Sequence, residues 1–204
     1  MLQALQHWIE STYGLEPEDP VENFLIDRRL LEQHLAPGDP YRSADEVVLI
    51  AGEAPEIQLG LYLHQRLNLQ EAELGKANAH QVLSGMEGVS HLLLLIHRLR
   101  QAEGITQLEL ELQAEIDKFL FLNLVPEAGL RGSAKSHLQR HADLDGLSRE
   151  RLETYETARR LAYRYCLSLE QKYLAPRSYD GLYRELRHFY RMSHWKKLQT
   201  LGLP

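Results

Sequence analysis

Gly88-Val89-Ser90-His91-Leu92-Leu93-Leu94-Leu95-Ile96-His97-Arg98-Leu99-Arg100 is the stretch on which the reading of the fold turns. Its centre, Leu92 to Ile96, is apolar on every side. Periodicity alone does not separate a strand buried on both faces from the middle of a buried helix. Gly85 and Gly88 stand just before the run and Glu103-Gly104 just after it, which bounds a segment of strand length. Read this way, it is a third and central strand that alternates His91, Leu93, Leu95 and His97 onto one face.

Before this stretch the period changes. Val47, Val48, Leu49 and Ile50 are β-prone, and Gly52 to Glu56 supplies turn residues with a proline. Ile57, Leu59, Leu61 and Leu63 then alternate with Gln58, Gly60, Tyr62 and His64. A period of two marks a half-buried strand, so the pair reads as a β-hairpin. Residues 69–83 return to helical spacing through Leu69, Leu74, Val82 and Leu83. After the stretch, Thr106 and Glu109 have the spacing of a capping box. They open a helix that buries Leu108, Leu112, Ile116 and Phe119. The alternation Leu108-Glu109-Leu110-Glu111-Leu112 leaves a strand as its rival.

At the N-terminal side, Leu2, Leu5, Trp8 and Ile9 form a short helical stripe. Asp19-Pro20 with Glu22 is a strong helix start. It predicts one helix carrying Val21, Phe24, Leu25, Leu31 and Leu35, stopped at Ala36-Pro37-Gly38-Asp39-Pro40. At the C-terminal side, Ser148 caps a long helix whose stripe is Leu152, Tyr155, Ala158, Ala162, Tyr165, Leu169 and Tyr173. Pro176 ends it, and a last helix from about Ser178 carries Leu182, Leu186 and Phe189. The order predicts an α+β fold: a small antiparallel sheet of about three strands packed with helices, followed by a C-terminal helical pair. The expected organisation is an acidic α+β part at 1–127, a linker at 128–147 and a basic helical part at 148–204, packed on the first as one globule.

Composition narrows the class. The chain has 204 residues, 44% apolar and 25% charged, the proportions of an ordinary globule. No apolar run approaches the roughly 20 residues needed to cross a bilayer. The first basic residue is Arg28 and no signal-peptide core precedes it. The single Cys166 has no disulfide partner within the chain, which suits a reducing cytoplasm. Charge is uneven: residues 1–127 hold 8 Lys and Arg against 21 Asp and Glu, and residues 128–204 hold 15 against 8. Such asymmetry points either to internal docking of the two parts or to an anionic partner.

Several groups of residues have the types that chemistry needs. Glu87 and His91 flank a short segment, and Glu111 and Glu115 follow within one crossover. A carboxylate beside an imidazole is the minimal general acid–base or metal constellation. The bland alternative is that Glu111 and Glu115 face water. Gly129-Leu130-Arg131-Gly132-Ser133-Ala134-Lys135-Ser136 is one residue from a phosphate-binding loop, with Ala134 where the second glycine belongs. No strand ending in a magnesium-binding aspartate follows it, and a basic linker accounts for it better. His137 and His141 share a helical face without the glutamate of a zinc-protease pattern. Cys166 has no neighbouring histidine and reads as a small buried residue.

The C-terminal helices interleave Arg184, Arg187 and Arg191 with Tyr190 and Trp195. These are the residue types of protein hot spots and also of nucleic-acid contacts. The reading that follows is a cytoplasmic interaction or regulatory protein with a protein partner or self-association and no membrane contact. One alternative is an enzyme or metal-binding protein using His91 with Glu87, Glu111 or Glu115. A second is nucleic-acid binding by the basic helices. The sequence names no cofactor and no metal, and it leaves open whether the protein is an enzyme.

Overall fold

The computed structural model describes residues 1–52, 56–67, 79–125 and 148–203. Helix α1 (Leu2–Tyr13) buries Leu2, Leu5 and Ile9 and ends at Gly14, whose φ of 58° suits the left-handed turn. The single helix expected from Asp19 to Leu35 is instead three elements. A 3₁₀ turn covers Val21–Phe24, strand β1 is Leu25–Ile26, and α2 spans Arg28–His34. Asp27 explains the break. Its carboxylate accepts from the Leu30 N–H at 2.8 Å, starting a second helix where the pattern suggested continuity.

The hairpin forms where alternation places it, as β2 (Glu46–Ala51) and β3 (Gln58–Leu63), in register from Glu46 opposite Leu63 to Ala51 opposite Gln58. The sheet order is β1-β3-β2, with β1 parallel to β3. The sheet is therefore mixed rather than antiparallel, and its central strand is β3, not residues 88–100. Its two faces are covered differently. Val47 and Tyr62 meet Leu31 of α2 on one side, while Val48, Leu59, Leu61 and Leu63 join the main core on the other.

Residues 88–100 belong to α3 (Ala79–Arg100), a helix of 22 residues buried almost all round from Met86 to Ile96. The strand expectation fails for a chemical reason. The run is built mainly of leucine, among the best helix formers, with few β-branched residues to favour extension. Gly88 lets this helix lie close on the hairpin. A Cβ there would meet Leu61 Cδ1 at 3.0 Å and Leu63 Cδ2 at 3.1 Å.

Helix α4 (Gln107–Leu124) starts at Thr106, whose hydroxyl accepts from the Glu109 N–H at 3.2 Å, and the rival strand does not form. Helix α5 (Arg149–Leu169) is capped by Ser148 as expected and runs into a π turn at Glu170–Leu174. Then come α6 (Tyr179–Arg191), which buries Leu182, Leu186 and Phe189, and a short α7 (His194–Thr200) that the sequence reading lacks. Among the described residues, every α-helix except α2 contributes to one apolar cluster. Among the described residues, no helix is long and apolar enough to cross a membrane. The expected linker, residues 128–147, lies outside the described residues.

Helices α3 and α4 run antiparallel, and polar groups meet along their seam. Arg98, fully buried, donates to Glu109 Oε1 at 2.5 Å, and Lys197 of α7 reaches the same oxygen at 2.8 Å. Further along, Ser90 donates to Asp117 Oδ2 at 2.5 Å, and Tyr13 donates to Oδ1. Near the start of α3, Lys118 donates to Glu87 at 2.9 Å.

Removing the shared acceptor Glu109 would leave two buried cations side by side. Glu109→Gln is expected to lower the free energy of unfolding in urea by about 3–5 kcal/mol, the range for breaking a buried pair. A loss under about 1 kcal/mol would show that the two cations find other acceptors.

Candidate functional site

The structure brings Glu87, His91 and Glu111 together. Glu87 and His91 are one turn apart on α3, and Glu111 projects from the first half of α4. One ligand atom from each of the three lies within 4.8 Å of the others. His91 is 4% exposed and Glu111 is 2% exposed, so the group is inside the protein and not on a solvated face.

Two neighbours orient the group. Glu46, the first residue of β2, sets its Oε1 3.5 Å from His91 Nδ1. That leaves His91 Nε2 turned toward Glu111 Oε2 at 3.8 Å, where it has no hydrogen-bond partner among the described residues. A carboxylate beside one imidazole nitrogen, with the other nitrogen making no hydrogen bond, is the arrangement that commonly supports a metal-binding histidine. Lys118 occupies the far side, 2.9 Å from Glu87 and 2.6 Å from Glu115. Glu115 is thus tied to Lys118 and lies outside the group of three. Gln107 Nε2 donates to Glu111 Oε1 at 2.5 Å and fixes that carboxylate's other oxygen.

On α5, burial and then the carboxylates of Glu111, Glu87 and Glu46 push the Tyr155 phenol well above its ordinary pKa. One turn earlier, the Arg151 guanidinium lies over the Tyr41 ring, 4.1 Å from its centroid.

The carboxylates of Glu46, Glu87 and Glu111 set the electrostatics around His91. Burial opposes the imidazolium, but Glu46 and Glu111 outweigh it and raise His91 to about 10. Burial raises Glu111 to about 7, against the pull of the His91 charge. Without a metal the histidine therefore carries a proton at neutral pH, and that proton supplies the positive charge that the carboxylates need.

The other sequence candidates are dispersed. Arg187 donates to the carbonyls of Thr12 at 3.4 Å and Ser11 at 3.3 Å, and Arg191 to those of Tyr13 at 3.0 Å and Gly14 at 2.7 Å. Both arginines cap α1. Tyr190 is buried and stacked on Tyr13 at 4.4 Å, Arg184 is exposed, and Trp195 is 68% exposed. His97, which strand alternation would align with His91, sits on another face of α3, 5.2 Å from the Tyr190 ring. Cys166 is buried, and burial pushes its thiol pKa up. The near-phosphate loop and His137 with His141 lie outside the described residues. Sequence reasoning missed Glu46, Arg151, Tyr155 and Tyr41, none of which carries a spacing signal toward α3.

No family model matches this sequence, and no curated protein or solved structure is significantly similar to it.

A histidine pKa raised from 6.5 to about 10 by folding stabilises the protein fully below pH 6.5, and that contribution is lost as pH rises through 10. Glu111, raised from 4.5 to about 7, acts in the same sense at lower pH. Lys197, lowered by burial to about 8, acts in the opposite sense above that pH, so the readout is a difference. The stability gap between the EDTA-treated protein and its His91→Gln variant is expected to be widest near pH 6.5 and to narrow toward pH 10. A gap independent of pH would place His91's proton elsewhere.

Proposed function

We propose that this is a metal-binding protein in which Glu87, His91 and Glu111 hold one divalent first-row transition ion. The observation that carries the reading is the buried His91 Nε2, without a hydrogen-bond partner among the described residues and grouped with one oxygen each of Glu87 and Glu111 within 4.8 Å. One imidazole and two carboxylates form a mixed nitrogen and oxygen set suited to Mn²⁺, Fe²⁺ or Zn²⁺. Glu46 supports the same reading from behind, because it holds the ring by its other nitrogen. Three protein ligands leave the remaining positions of the ion to water or to a substrate oxygen, which the ion would polarise.

Recognition of a protein partner is a second reading, supported by a separate observation. Trp195 is 68% exposed beside Lys196 on α7, in the manner of an aromatic anchor. Pull-down from lysate with the protein and with Trp195→Ala tests it, and equal captures would remove Trp195 from that role.

The metal reading has a direct test. EDTA-treated protein is titrated with Mn²⁺, Co²⁺ and Zn²⁺ by calorimetry, and bound metal is counted by mass spectrometry. The expected result is one ion per chain, lost in His91→Ala and in Glu111→Gln, with proton release that strengthens binding as pH rises. Glu46→Gln should weaken binding by about 10–100-fold, as for a residue that orients a ligand. Absence of stoichiometric uptake by the wild-type protein would overturn the reading.

A further inference from the structure

We propose that a second site, independent of the metal reading, binds the phosphate group of a small phosphate monoester. It is the open cleft between α2, the 3₁₀ turn Pro40–Ser43 and the end of β3, with a volume of about 450 Å³. Small-molecule sites run from roughly 300 to 1,000 Å³. Residues 1–127 hold 8 Lys and Arg against 21 Asp and Glu. Yet this cleft is lined by Arg28, Arg42 and His64, with Asp39 as its one carboxylate. The local sign of charge is reversed, which is what an anion needs.

Arg42 is the anchor. Its Nε donates to the Leu35 carbonyl at 3.3 Å, and its Nη2 to the carbonyls of Leu35 and Glu32 at 2.7 Å each. These bonds fix the guanidinium on the last turn of α2 without a carboxylate, and the two N–H groups of Nη1 remain. Arg28 gives its Nε to Glu32 at 2.7 Å in a solvent-exposed pair, a kind that contributes little to stability. Most of its five donors lie outside that bond. His64, just after β3, adds a ring N–H from a third element. Asp39 already accepts the Tyr41 N–H at 2.9 Å, and Ser43 gives its hydroxyl proton to the Pro40 carbonyl at 2.9 Å. Donors from three elements suit the several directions of a tetrahedral phosphate better than the single plane of a carboxylate. Gly38, at φ 85°, brings no side chain to the cleft, which leaves room beside the phosphate for the organic part of an ester.

The test titrates the EDTA-treated chain with phenyl phosphate by calorimetry and follows the backbone amides by NMR. The expected result is saturable one-to-one binding that shifts the amides of Gly38, Arg42, Ser43 and His64. Affinity should fall by about tenfold in Arg42→Gln, the worth of one charge-assisted hydrogen bond. It should fall less in Arg28→Gln, whose exposed position keeps the fold intact and lets this variant decide alone if Arg42→Gln does not fold. His91→Ala should bind as the wild type does, which separates this site from the metal reading. Acetate should bind more weakly than phenyl phosphate. No saturable binding, or wild-type affinity in both arginine variants, overturns the proposal. Acetate binding as tightly as phenyl phosphate overturns the choice of phosphate, and inorganic phosphate binding more tightly than phenyl phosphate overturns the choice of an ester.

Discussion

Burying a charge is tolerable only beside its opposite, and in this protein that constraint falls on the seam between α3 and α4. Arg98 meets Glu109, Ser90 meets Asp117, and Glu87 meets Lys118 as one helix descends past the other. Each pair fixes the same antiparallel register. A slip by one turn would leave several ionised groups inside the core without partners, at several kcal/mol each. Leucine packing supplies the driving force for bringing the helices together, but it is permissive about register. The polar pairs select one arrangement from the many that would bury the same apolar area.

That arrangement positions everything else. With α3 fixed against α4, Gly88 brings the hairpin within van der Waals distance of the helix, so the first residue of β2 delivers Glu46 to His91. The same register sets Glu111 opposite His91 rather than opposite Arg98. At this level of the seam several acids gather, and Lys118 pairs with two of them, Glu87 and Glu115. Elsewhere along the seam each acid is matched by a cation or by neutral donors, as Asp117 is by Tyr13, Ser90 and Gln113. Beside Glu46 and Glu111 the His91 imidazole is held in its protonated form, so a proton supplies part of the positive charge there.

The parts of this fold that were legible in the sequence are those with a local cause. Thr106 and Ser148 cap helices because their hydroxyls reach an N–H three residues on, and the hairpin follows from alternation that no helix would bury. The parts that were not legible depend on partners far along the chain. Leu92 to Ile96 is apolar on all sides, so periodicity is silent there, and leucine's helix propensity decides together with the neighbours of α3. Leu25 and Ile26 become a strand because Leu61 and Tyr62 offer an edge. Of the site, the pairing of Glu87 and His91 with Glu111 was within reach of residue types alone. Glu46 was not, because it comes from a strand whose placement only the assembled core determines.

The capping of α1 by Arg187 and Arg191 bears on how the chain acquires its shape. The carbonyls of Ser11 to Gly14 are met by groups 175–178 positions further along. Contacts of such separation carry a large loop-closure cost and are expected late in folding. During synthesis α1 would emerge early and then wait, with its C-terminal end hydrated, until α6 leaves the ribosome. The arginine clasp therefore acts as a completion check, since the first helix is sealed only once nearly all of the core described here has been made.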